Sequence, residues 1–167
     1  DEADRLELEQ TRAILGAGMA ALLGAAMATL ITRPLFFVKA MAITIGLGRR
    51  SDRGVMRHLA YLAEACLLRR WLARDRIQHL HVHFATNSTT VAMLCRILGG
   101  PGYSFTMHGS ACFDKIETIG IEQKVAASRF VVAVSQYGCS QIYRYIPHAH
   151  WHKVKLIHCG VDSAFVN

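Results

Sequence analysis

From residue 79 onward the chain alternates four short β-prone runs with helical stretches, and this alternation restricts the fold more than any other feature. His79-Leu80-His81-Val82-His83-Phe84, Tyr103-Ser104-Phe105-Thr106-Met107, Phe130-Val131-Val132-Ala133-Val134 and Val154-Lys155-Leu156-Ile157 read as strands. Between the first two, Asn87 is placed to cap a helix reaching about Leu98, with Val91, Leu94, Cys95 and Leu98 facing inward. Gly99-Gly100-Pro101-Gly102 is a turn. A helix is expected from about Glu117 to Ser128, and Ser135 is placed to cap another from about Tyr137 to Ile146. Strands separated by helices return to the sheet in parallel, so the fold class is α/β with a parallel sheet and flanking helices. With 167 residues, 52% of them hydrophobic, the chain has enough apolar surface for a real core and is excluded from the disordered class.

The first fifty residues follow a different pattern. Residues 13 to 32 carry no charge, and Arg33-Pro34 interrupts the apolar run before it continues to Gly48 with Lys39 as its only charge. Twenty uncharged residues are long enough to span a bilayer. The run is rich in Ala and Gly, however, so close-packed or interfacial helices broken at Pro34 are expected instead. Residues 1–50 are therefore read as an apolar helical segment, membrane-associated and part of the same domain. Ser51 or Asp52 is placed to cap a helix over about 54–76, with Leu59, Leu62, Ala63, Cys66 and Leu67 on its apolar face. Residues 51–160 are assigned to the α/β domain and 161–167 to the start of a linker. The opening Asp1 and the linker-like close lead us to expect cuts from a longer protein at both ends.

Charge is distributed unevenly. Acids open the chain (Asp1, Glu2, Asp4, Glu7, Glu9), whereas residues 49–76 hold eight arginines against three acids. A basic surface beside apolar helices suits anionic lipid headgroups or phosphorylated substrates. Nucleic acid is not the expected partner, because no interleaved aromatics and no nucleic-acid module accompany the arginines. Five cysteines with no C-x-x-C pair argue against a disulfide framework and for a reducing compartment.

In a parallel α/β sheet, ligands bind beyond the carboxyl ends of the strands. The residues leaving the four strands are His83 with Phe84, His108 with Gly109, Ser135 with Gln136, and His158 through Gly160 and Asp162. Together they are expected to make a polar pocket. His108 is the foremost catalytic candidate: it ends a strand, precedes a glycine, and is able to donate to a hydroxyl, a phosphate or a developing charge. His79, His81 and His83 alternate and so share one side of their strand. Metal is not expected there, because alternate positions spread three rings over roughly 13 Å and one ion reaches two at most. His148, His150 and His152 read as a surface loop. Ser135 lacks the G-x-S-x-G setting of a nucleophile and is read as a helix cap and hydroxyl contact. Neither a P-loop nor G-x-G-x-x-G is present.

These segments resemble the family-4 retaining glycosyltransferases. The resemblance rests on His81-Val82-His83-Phe84-Ala85, Ser104-Phe105-Thr106-Met107-His108-Gly109, Val131-Val132-Ala133-Val134-Ser135 and Val154 through Asp162. It covers roughly residues 77–165 and is nearest to enzymes of exopolysaccharide and colanic-acid type. It implies a Rossmann-like domain forming the N-terminal, acceptor-side half of a GT-B fold. It also implies transfer from a nucleoside-diphosphate sugar, with retention, to a saccharide or lipid-linked acceptor, in the cytoplasm or peripherally at the inner face of the cytoplasmic membrane. No metal or other cofactor is implied, since the nucleotide sugar is a substrate held mainly by a second domain. In that scheme His108 lies near the transferring sugar, and His83, Phe84, Gly109, Ser135, Gly160 and Asp162 contact substrate.

The chain departs from the family pattern at three points. Gly109 follows His108 where Asp is frequent, Cys159 stands where Asn usually precedes Gly-Val-Asp, and the first glycine-rich strand-turn and the donor domain are missing. By itself the chain is expected not to catalyse transfer. The alternative from another class is a non-catalytic α/β binding or membrane-association module.

Overall fold

The computed structural model describes Arg5, residues 11–109 and residues 116–160. A short 3-10 turn, Leu15–Ala17, leads into α1 (Gly18–Thr32), followed by α2 (Pro34–Arg50) and α3 (Gly54–Arg74). The alternating part then runs β1 (His79–His83), α4 (Asn87–Ile97), β2 (Gly102–Met107), α5 (Ile121–Ala127), β3 (Val131–Ala133), α6 (Gln136–Tyr145), a 3-10 helix (His148–Lys153) and β4 (Val154–Leu156). The four strands form one sheet in the order β1-β2-β3-β4, every pair parallel.

That sequential order has a structural consequence. Right-handed crossovers that always step the same way lay their helices on one face of the sheet. Accordingly Tyr103, Phe105, Met107, Val131, Ala133 and Val154 share one buried cluster with Met93 of α4, Val125 of α5 and Ile142 of α6. The opposite face carries the alternate residues: His79, His81, His83, Ser104, Thr106, Val132 and Lys155. Val132 is buried yet belongs to neither apolar cluster, as a residue on that second face must be.

A second cluster lies on the far side of α4. Val91, Leu94, Cys95 and Leu98 pack against Tyr61, Leu62, Ala65 and Cys66 of α3, which in turn meet Leu22 and Ala25 of α1 and Ala40 of α2. Ala25 and Ala65 have no exposed surface, and side chains this small let helices approach closely. Buried Thr29 and Thr44 donate their hydroxyls to Ala25 O and Ala40 O, which satisfies them inside their own helices. The molecule is thus layered as sheet, then α4 to α6, then α3 with α1 and α2.

The apolar run breaks into two helices at Arg33-Pro34, as expected, and Pro34 opens α2, where its missing N–H costs no bond. Other local expectations are corrected. Neither Ser51 nor Asp52 caps α3: Arg53 holds that position without a side-chain bond, and Ser51 Oγ accepts from Arg53 N instead. Thr86, not Asn87, precedes the first turn of α4. The helix expected from Glu117 begins at Ile121, because residues 116–120 form turns and Gly120 has a φ of 67°, a left-handed conformation that interrupts a helix.

Candidate functional site

The carboxyl edge of the sheet brings the histidines of β1 and β2 together. His83 ends β1 opposite Thr106, and His108 follows directly after β2. Their ring nitrogens, His83 Nδ1 and His108 Nε2, lie 2.7 Å apart, with ring centroids 5.0 Å apart. One ring must present N–H and the other a lone pair, so the contact breaks when both carry a proton. Because Nε2 of His108 is engaged, Nδ1 is the nitrogen left to face a ligand.

Phe84 completes this corner. Its ring is 52% exposed and centred 5.1 Å from that of His108. Its backbone lies at φ 66°, unusual for a bulky residue and costing on the order of 1–3 kcal/mol. The surrounding bonds enforce that conformation. Phe84 N donates to Thr106 O at 2.9 Å, Thr89 Oγ1 donates to Phe84 O at 2.6 Å, and Ser88 Oγ donates to His83 O at 3.2 Å. The next two carbonyls, of Ala85 and Thr86, are held by Lys124 Nζ at 2.7 and 2.9 Å. Lys124 is 1% exposed and comes from α5, whose own carbonyl at Lys124 accepts the Tyr103 hydroxyl at 2.6 Å. Neither Lys124 nor the turn at Phe84 was anticipated from the sequence.

The remaining expected site residues lie along the same edge. Ser135 follows β3 and caps α6, its hydroxyl accepting from Gly138 N at 3.0 Å. Met107 pairs with Ala133 and Ala133 with Leu156, so His108, Ser135 and the segment after β4 leave adjacent strands on the same side. Among the described residues nothing lies within 4 Å of where a Cβ on Gly109 would point, and Gly160 is exposed beyond β4. Asp162 lies outside the described residues. Among the described residues at this corner, His83, Phe84 and His108 are all exposed.

Below the rim, the histidine face of the sheet is a hydrogen-bonded ladder. Ser104 Oγ lies 2.8 Å from both His79 Nε2 and His81 Nδ1, and Thr106 Oγ1 lies 2.9 Å from His81 Nε2. Phe130 stacks beside His79 and His81 at 6.0 and 6.4 Å between centroids. The polar alternation of Ser104 and Thr106 matches that of the three histidines, a signal present in the sequence. Each imidazole thus meets hydroxyls or rings, and among the described residues no group of three or more metal-binding side chains converges. His148 packs against Trp151, which packs against Tyr143.

His81 is held below the ordinary imidazole pKa, first by desolvation and then by neighbouring His83, His79 and His108. The unfolded chain therefore binds that proton more readily than the folded one. Stability is complete above the ordinary value near about pH 6.5 and falls as pH drops through it toward the folded value. Urea midpoints should decrease between about pH 7.5 and 5.5, and less so in His81→Gln; an equal decrease in both proteins would remove His81 from the account. Among the cysteines, Cys66, Cys95 and Cys139 are buried and Cys159 is exposed. Burial pushes the Cys95 thiol up to about 12, which suits a small core side chain rather than a nucleophile.

A sequentially wound parallel sheet with a polar carboxyl rim defines a Rossmann-like α/β domain, the kind that forms one half of a GT-B transferase. Residues 34–165 match the family model described as Glycosyltransferase Family 4, and the chain belongs to that family. The match begins at the first residue of α2 and takes in α3 and all four strands. Searches of the curated proteins and of the solved structures returned no match.

Proposed function

We propose that this chain is the acceptor-side half of a retaining glycosyltransferase. In this reading the enzyme acts in the cytoplasm and moves a sugar from a nucleoside-diphosphate sugar to a saccharide or lipid-linked acceptor, as in polysaccharide synthesis. The observation that carries the proposal is the His83–His108 pair with Phe84, set at the carboxyl edge of the sheet in a member of a glycosyltransferase family. In the reaction the bond from the anomeric carbon to the diphosphate oxygen breaks, and the acceptor oxygen bonds to the same face of that carbon. The acceptor hydroxyl's proton passes to the departing diphosphate oxygen, and the nucleoside diphosphate leaves.

His108 Nδ1 is suited to donate to a hydroxyl of the transferring sugar or to stabilise charge as the bond breaks. His83 fixes the ring of His108 from behind. Phe84 offers an aromatic face to the apolar face of a sugar ring. Ser135, Gly109, Gly160 and Asp162 are assigned to the acceptor side, and no metal or cofactor is invoked. The test is a panel of nucleotide sugars and acceptors with the full-length gene product. Acceptor-dependent release of nucleoside diphosphate, with the anomeric configuration kept in the product by NMR, is the expected result. Binding of a saccharide without turnover of any donor would favour a non-catalytic binding module.

A further inference from the structure

We propose that the elbow between α1 and α2 is a docking surface for an anionic phospholipid membrane, entered from one side and not crossed. The exposed side chains carry this inference. On α1, Met19, Leu23, Met27, Leu30 and Ile31 are exposed, and on α2 so are Leu35, Phe36 and Val38. Leu35 is 84% and Met19 69% exposed. Met19, Leu23, Met27 and Leu30 follow helical spacing and form one stripe, turned away from the buried Leu22, Ala25 and Thr29 that face α3. On α2 the exposed Leu35 and Val38 likewise oppose buried Ala40, Thr44 and Leu47. So many exposed large apolar side chains on two consecutive helices mark an interaction site.

The charges identify the partner. Residues 11–76 hold eleven basic residues against three acidic ones, and no acid lies between Arg12 and Arg50. Arg33 sits at the elbow over the Phe36 ring, 5.8 Å from its centroid, and exposed Lys39 lies on the same side of α2 as Leu35. Beside α1 a cavity of about 360 Å³ is lined by Ala21, Gly24, Leu67, Trp71, Arg70 and Arg74. Arg74 is partly neutralised there, since Asp75 accepts from both Arg74 and Arg12 at 3.0 and 2.6 Å, while Arg70 stands exposed at the mouth. Apolar side chains with Arg33 and Lys39 among them, and with Arg70, Arg74 and Trp71 beside α1, fit the headgroup layer of an anionic bilayer. A second copy is the poorer occupant, because two such surfaces face to face would set Arg33 and Lys39 against their own counterparts.

Crossing is disfavoured by the packing. Leu15–Thr32 is long and apolar enough to span a membrane. Yet α1 is fastened along its length to α3, whose Arg57, Glu64, Arg69, Arg70 and Arg74 cannot follow it into hydrocarbon. A spanning α1 would also leave Tyr61, Leu62 and Ala65 uncovered. The elbow is distinct from the rim at His108, so membrane binding is read without any nucleotide sugar, and its failure leaves the transfer proposal untouched.

The experiment is flotation of the chain with vesicles of phosphatidylcholine alone, or with about one third phosphatidylglycerol. Binding is expected to the anionic vesicles, to weaken with salt, and to be at least about tenfold lower on the neutral ones. Leu23→Glu with Leu35→Glu should abolish it without lowering the melting temperature, both positions being exposed. Arg70→Ser should weaken it about fivefold. Four results would overturn the proposal: full binding by the double glutamate variant, equal binding to neutral vesicles, resistance to alkaline extraction, which signals a spanning helix, or a dimer in light scattering that the same variant dissolves while vesicles remain unbound.

Discussion

Replacing Lys124 by methionine is expected to destabilise the chain by about 3 kcal/mol, equivalent to a melting temperature lower by about 6–12 °C. The ammonium is buried and donates to the carbonyls of Ala85 and Thr86. Methionine keeps the length of the stem but offers no donor, and both carbonyls stay behind in a site built around Ala85, which has no exposed surface. Removing one partner of a buried bond costs far more than the net worth of the bond, because the other partner has already lost its water. A buried cation exchanged for an apolar residue can be neutral when its acceptors leave with it; here they are backbone and cannot. Urea unfolding at about pH 7.5 measures the effect, and a loss below about 1 kcal/mol would mean that water reaches both carbonyls. The same substitution should loosen the turn that holds Phe84 beside His108.

For His108→Ala in the full-length gene product, turnover is expected to fall at least about 100-fold, with stability changed by less than about 1 kcal/mol. The separation of the two effects follows from position: the ring is exposed, so its loss opens no cavity, and its Nδ1 is not used by the His83 contact. His83→Ala is expected to cause a smaller loss, since His83 acts through the ring of His108. Unchanged turnover in His108→Ala would withdraw this ring from the chemistry.

The alternation of strands and helices was legible because each element is encoded by neighbours in the chain. Period-two spacing in His79–His83 and in Gly102–Met107 states which side chains share a face, and the match between Ser104-x-Thr106 and the histidines was there to be read. Ser135 as a cap was equally local, because its acceptor and the Gly138 amide are three residues apart. Boundaries were less legible. The cap at Ser51 or Asp52 and the helix from Glu117 both failed where backbone conformation, at Arg53 and at Gly120, overruled the preference of the side chain.

Sequence alone determined an α/β chain whose strands lead out through His83, His108 and Ser135, preceded by apolar helices with arginines after them. Only the tertiary structure decided that all three connecting helices lie on one face, because that depends on the order in which strands meet. It also decided that Phe84 turns left-handed and that Lys124 reaches across to the β1–α4 turn. A residue's periodicity records the bonds made within its own element. The partner of a buried ammonium depends on which elements pack together, and nothing in its neighbouring residues records that.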